Sequence, residues 1–199
     1  MRNPNGKAYV DWRRALMIGA LTFIVAVALA VPSRRATESL EIVPALLALG
    51  VIILIGIASD IIAVAAAAAD ERPFHAMAAV DRPGARQAIW IVRNAEAVVS
   101  FCGDVVGDVA GTLSGAAGAA ILLRVLAVRP GLDETVMSVL MVGLVAALTV
   151  GGKAAGKGFA LNRATTVVYA AGRVLHILEK TGLVRLRLRR SRRPVRNLP

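Results

Sequence analysis

From Ile42 to Ala69 the sequence is almost wholly apolar, with Asp60 as its single charged residue. About 20 apolar residues in helical form cross the hydrocarbon core of a bilayer, and a helix satisfies every backbone group within the segment, so a transmembrane helix is the expected outcome. Three more apolar runs share the chain: Ala15–Val31, Val98–Leu126 and Val136–Val150. With 57% of 199 residues hydrophobic, there is more apolar surface than one soluble domain of this length buries. An aromatic content of 4% argues in the same direction, since a sizeable soluble core normally uses more. The expected fold class is an all-α integral membrane protein, with one extra N-terminal span, a three-span core and interfacial or juxtamembrane helices.

The chain divides accordingly. Residues 1–41 form a cytoplasmic segment, the first span and an outer polar link from Pro32 to Glu41. The first span ends in A-L-A-V-P-S, so signal-peptide cleavage after Ala30 is an alternative, but its apolar run exceeds the usual 7–15 residues and favours a retained helix. Residues 42–180 form the transmembrane domain, and residues 181–199 a basic cytoplasmic tail.

Within the core, Asp60 lies about 27 Å along its helix from Ile42, near the far boundary of the membrane. Asp70–Ala97 is amphipathic, with Ala85, Ala88, Ile89 and Val92 on one side and Arg82, Arg86 and Arg93 on the other; it reads as a helix lying at the interface, starting near Pro83 and Gly84. The glycine-rich Gly151–Ala160 reads as too flexible for a long helix. Asn162–Leu178 reads as a second interfacial helix.

Charge gives the orientation. The net charge is +11, and from Lys180 to Arg196 every charged residue is basic. Placing residues 1–14, 70–97 and 153–199 in the cytoplasm puts most Lys and Arg inside, which leaves both termini cytoplasmic and the protein in the plasma membrane. Arg185, Arg187, Arg189, Arg190, Arg192 and Arg193 of the tail are expected to hold anionic lipid headgroups, each worth about 1 kcal/mol near such a surface. Nucleic acid is the less economical partner for a tail on a membrane protein.

Chemistry concentrates in Ser100–Ala120, S-F-C-G-D-V-V-G-D-V-A-G-T-L-S-G-A-A-G-A-A. Helical spacing puts Asp104 and Asp108 one turn apart, with Gly103, Gly107 and Gly111 repeating beside them in the small-xxx-small pattern of close helix packing. Acids inside a span cost several kcal/mol and mark functional sites by default. Two carboxylates with Ser59, Asp60, Thr112 and Ser114 nearby suit a hard divalent cation; the alternative is a structural pair near the cytoplasmic edge of the span. Lys153 and Lys157, also one turn apart, are either counter-charges to these acids or ordinary flanking positive charges. His75 and His176 read as surface residues and Cys102 as a small packed side chain. A nucleotide loop, a Ser-His-Asp set and a metalloprotease signature are all missing, so an enzyme is not expected.

The order Ser59-Asp60, Gly84-Ala85-Arg86, Gly103-Asp104-Val105-Val106-Gly107-Asp108 and Gly156-Lys157-Gly158-Phe159-Ala160 resembles the transmembrane domain of the CNNM/CorC (CorB-like) family, proposed sodium-dependent magnesium exporters. The corresponding family pattern is S-E, G-N-x-L-V-N and G-E-x-x-P-K-x-x-A. The resemblance covers about residues 43–180, without the nucleotide-sensing domains that usually follow. It implies a homodimer, and a magnesium site lined by Ser59, Asp104 and Asp108 with Asp60 at the acidic position. Three departures bear on that site: both asparagines are aspartates, the proline before Lys157 is Gly156, and the expected glutamate is Lys153.

Overall fold

The computed structural model describes residues 12–39 and 41–182, with all their side chains except those of residues 14 and 32–39. Among the described residues the ordered elements are helical, without strands. In chain order they are α1 (Trp12–Ser39), α2 (Ile42–Ala68), α3 (Arg72–Ala79), α4 (Ala85–Arg93), α5 (Ala95–Val99), a π-helical segment (Ser100–Gly107), α6 (Asp108–Val128), α7 (Glu134–Asn162) and α8 (Ala164–Lys180). Three continuous helical stretches, Ile42–Ala68, Ala95–Val128 and Glu134–Asn162, are long and apolar enough to cross a membrane; Ala15–Val31 within α1 is a shorter apolar stretch.

The most apolar helix, α2, is the hub, touching α6, α7, the π segment, α5 and α8. Ala45, Leu49 and Ile53 of α2 meet Ala117 and Ile121 of α6 and Val145 of α7 in one buried cluster. At the far end of α2, Ala65 and Ala66 join Phe74 of α3, Ala88 and Ile91 of α4, Ala160 of α7 and Val168 of α8 in a second. The molecule is thus a three-helix bundle with a cap of shorter helices at one end, and α1 lies along α6 and the π segment.

Local chemistry sets several boundaries. Asp133 starts α7, its carboxylate accepting a hydrogen bond from the Val136 amide at 2.9 Å, with Glu134 following in the first turn where negative charge offsets the helix dipole. Pro73 sits in the first turn of α3, where its missing N–H costs nothing. The turn into α4 passes through Gly84 at φ +89°, a left-handed conformation open to glycine at little steric cost.

Three expectations are corrected. The segment Gly151–Ala160 is not flexible: it is the C-terminal part of a continuous α7. Two of its four glycines are packing sites, for a Cβ at Gly156 would lie 2.7 Å from Ile61 Cγ1 and one at Gly152 would run into Ile57 Cδ1. Close approach to α2 thus outweighs the low helix propensity of glycine. The link expected from Pro32 is helical as far as Ser39, in keeping with the strong helix formers Arg34, Arg35, Ala36 and Glu38 that come after the proline. The amphipathic stretch 70–97 is not one helix but α3, α4 and the start of α5, broken by the turn at Asp81–Gly84.

Candidate functional site

Charged side chains of α2, α6 and α7 and a backbone carbonyl of the π segment meet where the bundle joins its cap. Gly56 of α2 allows α6 close; a Cβ there would stand 3.0 Å from the Ala110 Cβ and 3.6 Å from the Gly107 carbonyl oxygen. Into this junction α7 sends Lys153, whose side chain is only 19% exposed. Its Nζ donates to the Gly107 carbonyl at 3.3 Å and lies 3.6 Å from Asp108 Oδ1. One turn on, Lys157 Nζ is 3.7 Å from Asp60 Oδ2. The Asp60 side chain is 14% exposed, and its Oδ2, buried and without a hydrogen bond among the described residues, faces that ammonium.

The expected site residues therefore separate into pairs. Lys153 goes to Asp108 and Lys157 to Asp60. Ser59 is half-buried on α2, one residue before Asp60. Asp104, in the π segment, is exposed and has no ion-pair or hydrogen-bond partner among the described residues. Asp108 is 73% exposed. Among the described residues, no group of three or more His, Cys, Asp and Glu side chains is gathered closely enough to hold a metal ion. The oxygens that converge at Gly107 and Asp108 already face an ammonium, so a dication would have to displace Lys153 rather than sit beside it. The tail arginines, Arg185 to Arg193, lie outside the described residues.

The π segment is the part of this site that escapes the sequence pattern. Its i→i+5 bonding inserts a residue into the helix and rotates the helix beyond it, and such bulges favour functional or strained positions. It ends at Gly107, the residue whose carbonyl receives Lys153.

Two polar clusters in the cap gather around the histidines read from sequence only as surface residues. His176, expected at the surface, is half-buried, with its Nδ1 3.3 Å from Gln87 Nε2. Gln87 is 5% exposed and also donates to Glu179. The i,i+3 spacing of His176 and Glu179 opposite a glutamine on an amphipathic helix is the signal that points to this cluster. His75 does lie near the surface, but Glu71 links it to Arg93, joining α3 to the end of α4. Partial burial works to raise the Glu71 pKa; hydrogen bonds and charge from His75 and Arg93 outweigh it, holding the carboxyl below its ordinary value.

Fold and site together define an all-helical protein with three helices of membrane-crossing length and apolarity, and lysine–aspartate pairs at one end of its bundle. No protein-family model, curated protein or solved structure matches the chain.

Proposed function

We propose that the chain is a multi-pass protein of the plasma membrane, with both termini cytoplasmic, that acts as a non-transporting helical scaffold. A lysine–aspartate layer closes its bundle at the cytoplasmic boundary. The observation that carries this reading is Lys153, whose ammonium sits against the Gly107 carbonyl and the Asp108 carboxylate. A tethered cation there supplies the charge that a bound ion would otherwise bring.

Depth supports the same reading. Counting 1.5 Å per residue, Asp60 lies about 27 Å from Ile42, Asp108 about 30 Å from Val128, and Lys153 about 29 Å from Glu134. That is the thickness of the hydrocarbon core, so these groups fall in one layer at its edge, where charges keep contact with headgroups and water. Bilayer insertion is further supported by α7, in whose apolar window only 6% of residues are buried. The arginine-rich tail then extends on the cytoplasmic side, suited to anionic lipid.

A second reading is favoured by Asp104, an exposed carboxylate with no partner among the described residues, one turn from the largely exposed Asp108. On it the protein binds or moves a divalent cation such as magnesium, as the CNNM/CorC resemblance implies, and Ser59 and Asp60 contribute oxygen. A homodimer is the assembly implied by the same resemblance.

Reconstitution separates the two. Proteoliposomes loaded with a magnesium indicator should show no flux above protein-free vesicles across a magnesium gradient, with and without sodium. Flux that disappears in the Asp104→Asn, Asp108→Asn double variant would overturn the scaffold reading in favour of the cation path.

A further inference from the structure

The turn between α3 and α4 and the last turn of α8 line an open cleft of about 430 Å³ that shares no residue with the lysine–aspartate layer. Its construction starts from backbone contact. Gly84 and Gly172 bring α4 and α8 together so closely that a Cβ at Gly172 would stand 2.5 Å from the Gly84 carbonyl oxygen. The floor is Gln87, 5% exposed and fixed by both His176 and Glu179. The Gln87 amide nitrogen stands 3.3 Å from His176 Nδ1, which leaves the imidazole Nε2 as a further polar atom on a cleft residue.

Charges around the cleft do not cancel. Asp81 is taken by Arg86, whose Nη2 donates to Oδ1 at 3.1 Å, while Glu179 accepts from the neutral Gln87 amide and keeps its charge, so the lining as a whole is positive by one. Arg82, from the turn between α3 and α4, and Lys180, from the end of α8, have no ion-pair partner among the described residues. Two cations without ion-pair partners, which outnumber the one carboxylate left beside them, match a small, multiply oxygenated anion. Arginine in particular presents a planar fork that fits phosphate oxygens in pairs.

The neighbouring surface narrows the source. On α8, Val174 and Ile177 are 57% and 58% exposed, and Lys180 comes three residues after Ile177, so an apolar strip runs up to the rim of the cleft. A helix exposing such a strip beside cationic side chains lies in the headgroup layer with its apolar side toward the acyl chains.

We infer that this cleft binds a phosphate ester, held between Arg82 and Lys180 over the Gln87–His176 floor, and that the phosphate belongs to a lipid headgroup whose chains lie along Val174 and Ile177. The site shares no residue with the Lys153–Asp108 and Lys157–Asp60 pairs, so its failure would leave the scaffold reading standing.

Calorimetric titration of the full chain in a mild detergent tests it. The probes are short-chain phosphatidic acid, diacylglycerol with the same chains, and inorganic phosphate. Phosphatidic acid is expected to bind and diacylglycerol not. In the Arg82→Gln, Lys180→Gln double variant the affinity for phosphatidic acid should fall about thirtyfold, and about fivefold in Arg82→Gln alone. The Arg82→Lys, Lys180→Arg exchange should retain most of it, with helix content by circular dichroism unchanged throughout. Phosphatidic acid binding far more tightly than inorganic phosphate supports the lipid source; equal affinity supports the phosphate site but overturns the lipid assignment. Absence of binding to the parent, or undiminished binding in the glutamine variants, overturns the site and assigns any lipid affinity to the arginine-rich tail.

Discussion

Lys153 carries the densest set of consequences of any single residue. Its ammonium is mostly buried and donates to the carbonyl of Gly107, itself a buried residue. That carbonyl belongs to the N-cap of α6, where it also accepts the first intrahelical bond, so Lys153 adds a second, charge-assisted bond, long at 3.3 Å and worth about 1–3 kcal/mol. Asp108, by contrast, is 73% exposed, so its ion pair with Lys153 is worth only about 0–1 kcal/mol. Lys153→Met is therefore expected to destabilise the protein by about 1–3 kcal/mol, and Asp108→Asn by clearly less. Unfolding of the purified protein by titration with a denaturing detergent, monitored by circular dichroism, ranks the two. A neutral Lys153→Met with intact helix content, or an Asp108→Asn that costs more, would show that the Gly107 contact does not hold the layer closed.

Among elements, the crossing of α4 and α8 is the least tolerant contact. A Cβ at Gly172 would meet backbone atoms, the Gly84 carbonyl oxygen at 2.5 Å and the Ala88 nitrogen at 2.9 Å, and backbone cannot swing aside as a side chain does. Gly172→Ala should cost about 1–3 kcal/mol by overpacking. Gly158→Ala, on α7 where a Cβ meets nothing within 4 Å, should be neutral or stabilise by about 0.5–1 kcal/mol through helix propensity. Melting of the two variants side by side checks the contrast; a Gly172→Ala variant as stable as the parent would mean that the helices separate freely. Glycines also show where sequence reading stops. Apolar runs locate α2, α6 and α7 because length and hydropathy are local properties, and Pro83-Gly84 marks the start of α4 for the same reason. Whether a glycine loosens a helix or admits a neighbour depends on what lies opposite, and nothing near Gly152 or Gly156 in sequence names Ile57 or Ile61. The partners Lys153–Asp108 and Lys157–Asp60 are legible in sequence only as charge types awaiting counter-charges. The π segment is not legible, since one inserted residue leaves the apolar run of Ser100–Ala120 intact.

At the scale of the whole molecule, the exposed apolar residues demand an environment. Val139, Leu140, Val142, Leu144 and Leu148 of α7 are all more than half exposed, as are Leu47, Val51, Leu54 and Ile55 of α2. A continuous apolar surface on helices of this length is stable in lipid and aggregation-prone in water. If the run Ala95–Val128 crosses the bilayer, the turn at Asp81 before it and Asp133 after it must open on opposite sides, with the basic cap on the cytoplasmic one. Single cysteines at these places, in a Cys102→Ala background, make the arrangement measurable with a membrane-impermeant maleimide on sealed cells and on inverted vesicles. Asp133→Cys should label only in cells and Asp81→Cys only in inverted vesicles, while Val142→Cys, within α7, should resist labelling in both until detergent is added. Labelling of Asp133→Cys and Asp81→Cys from the same side would remove the α6 crossing, and with it the boundary layer in which Lys153 and Lys157 meet their aspartates.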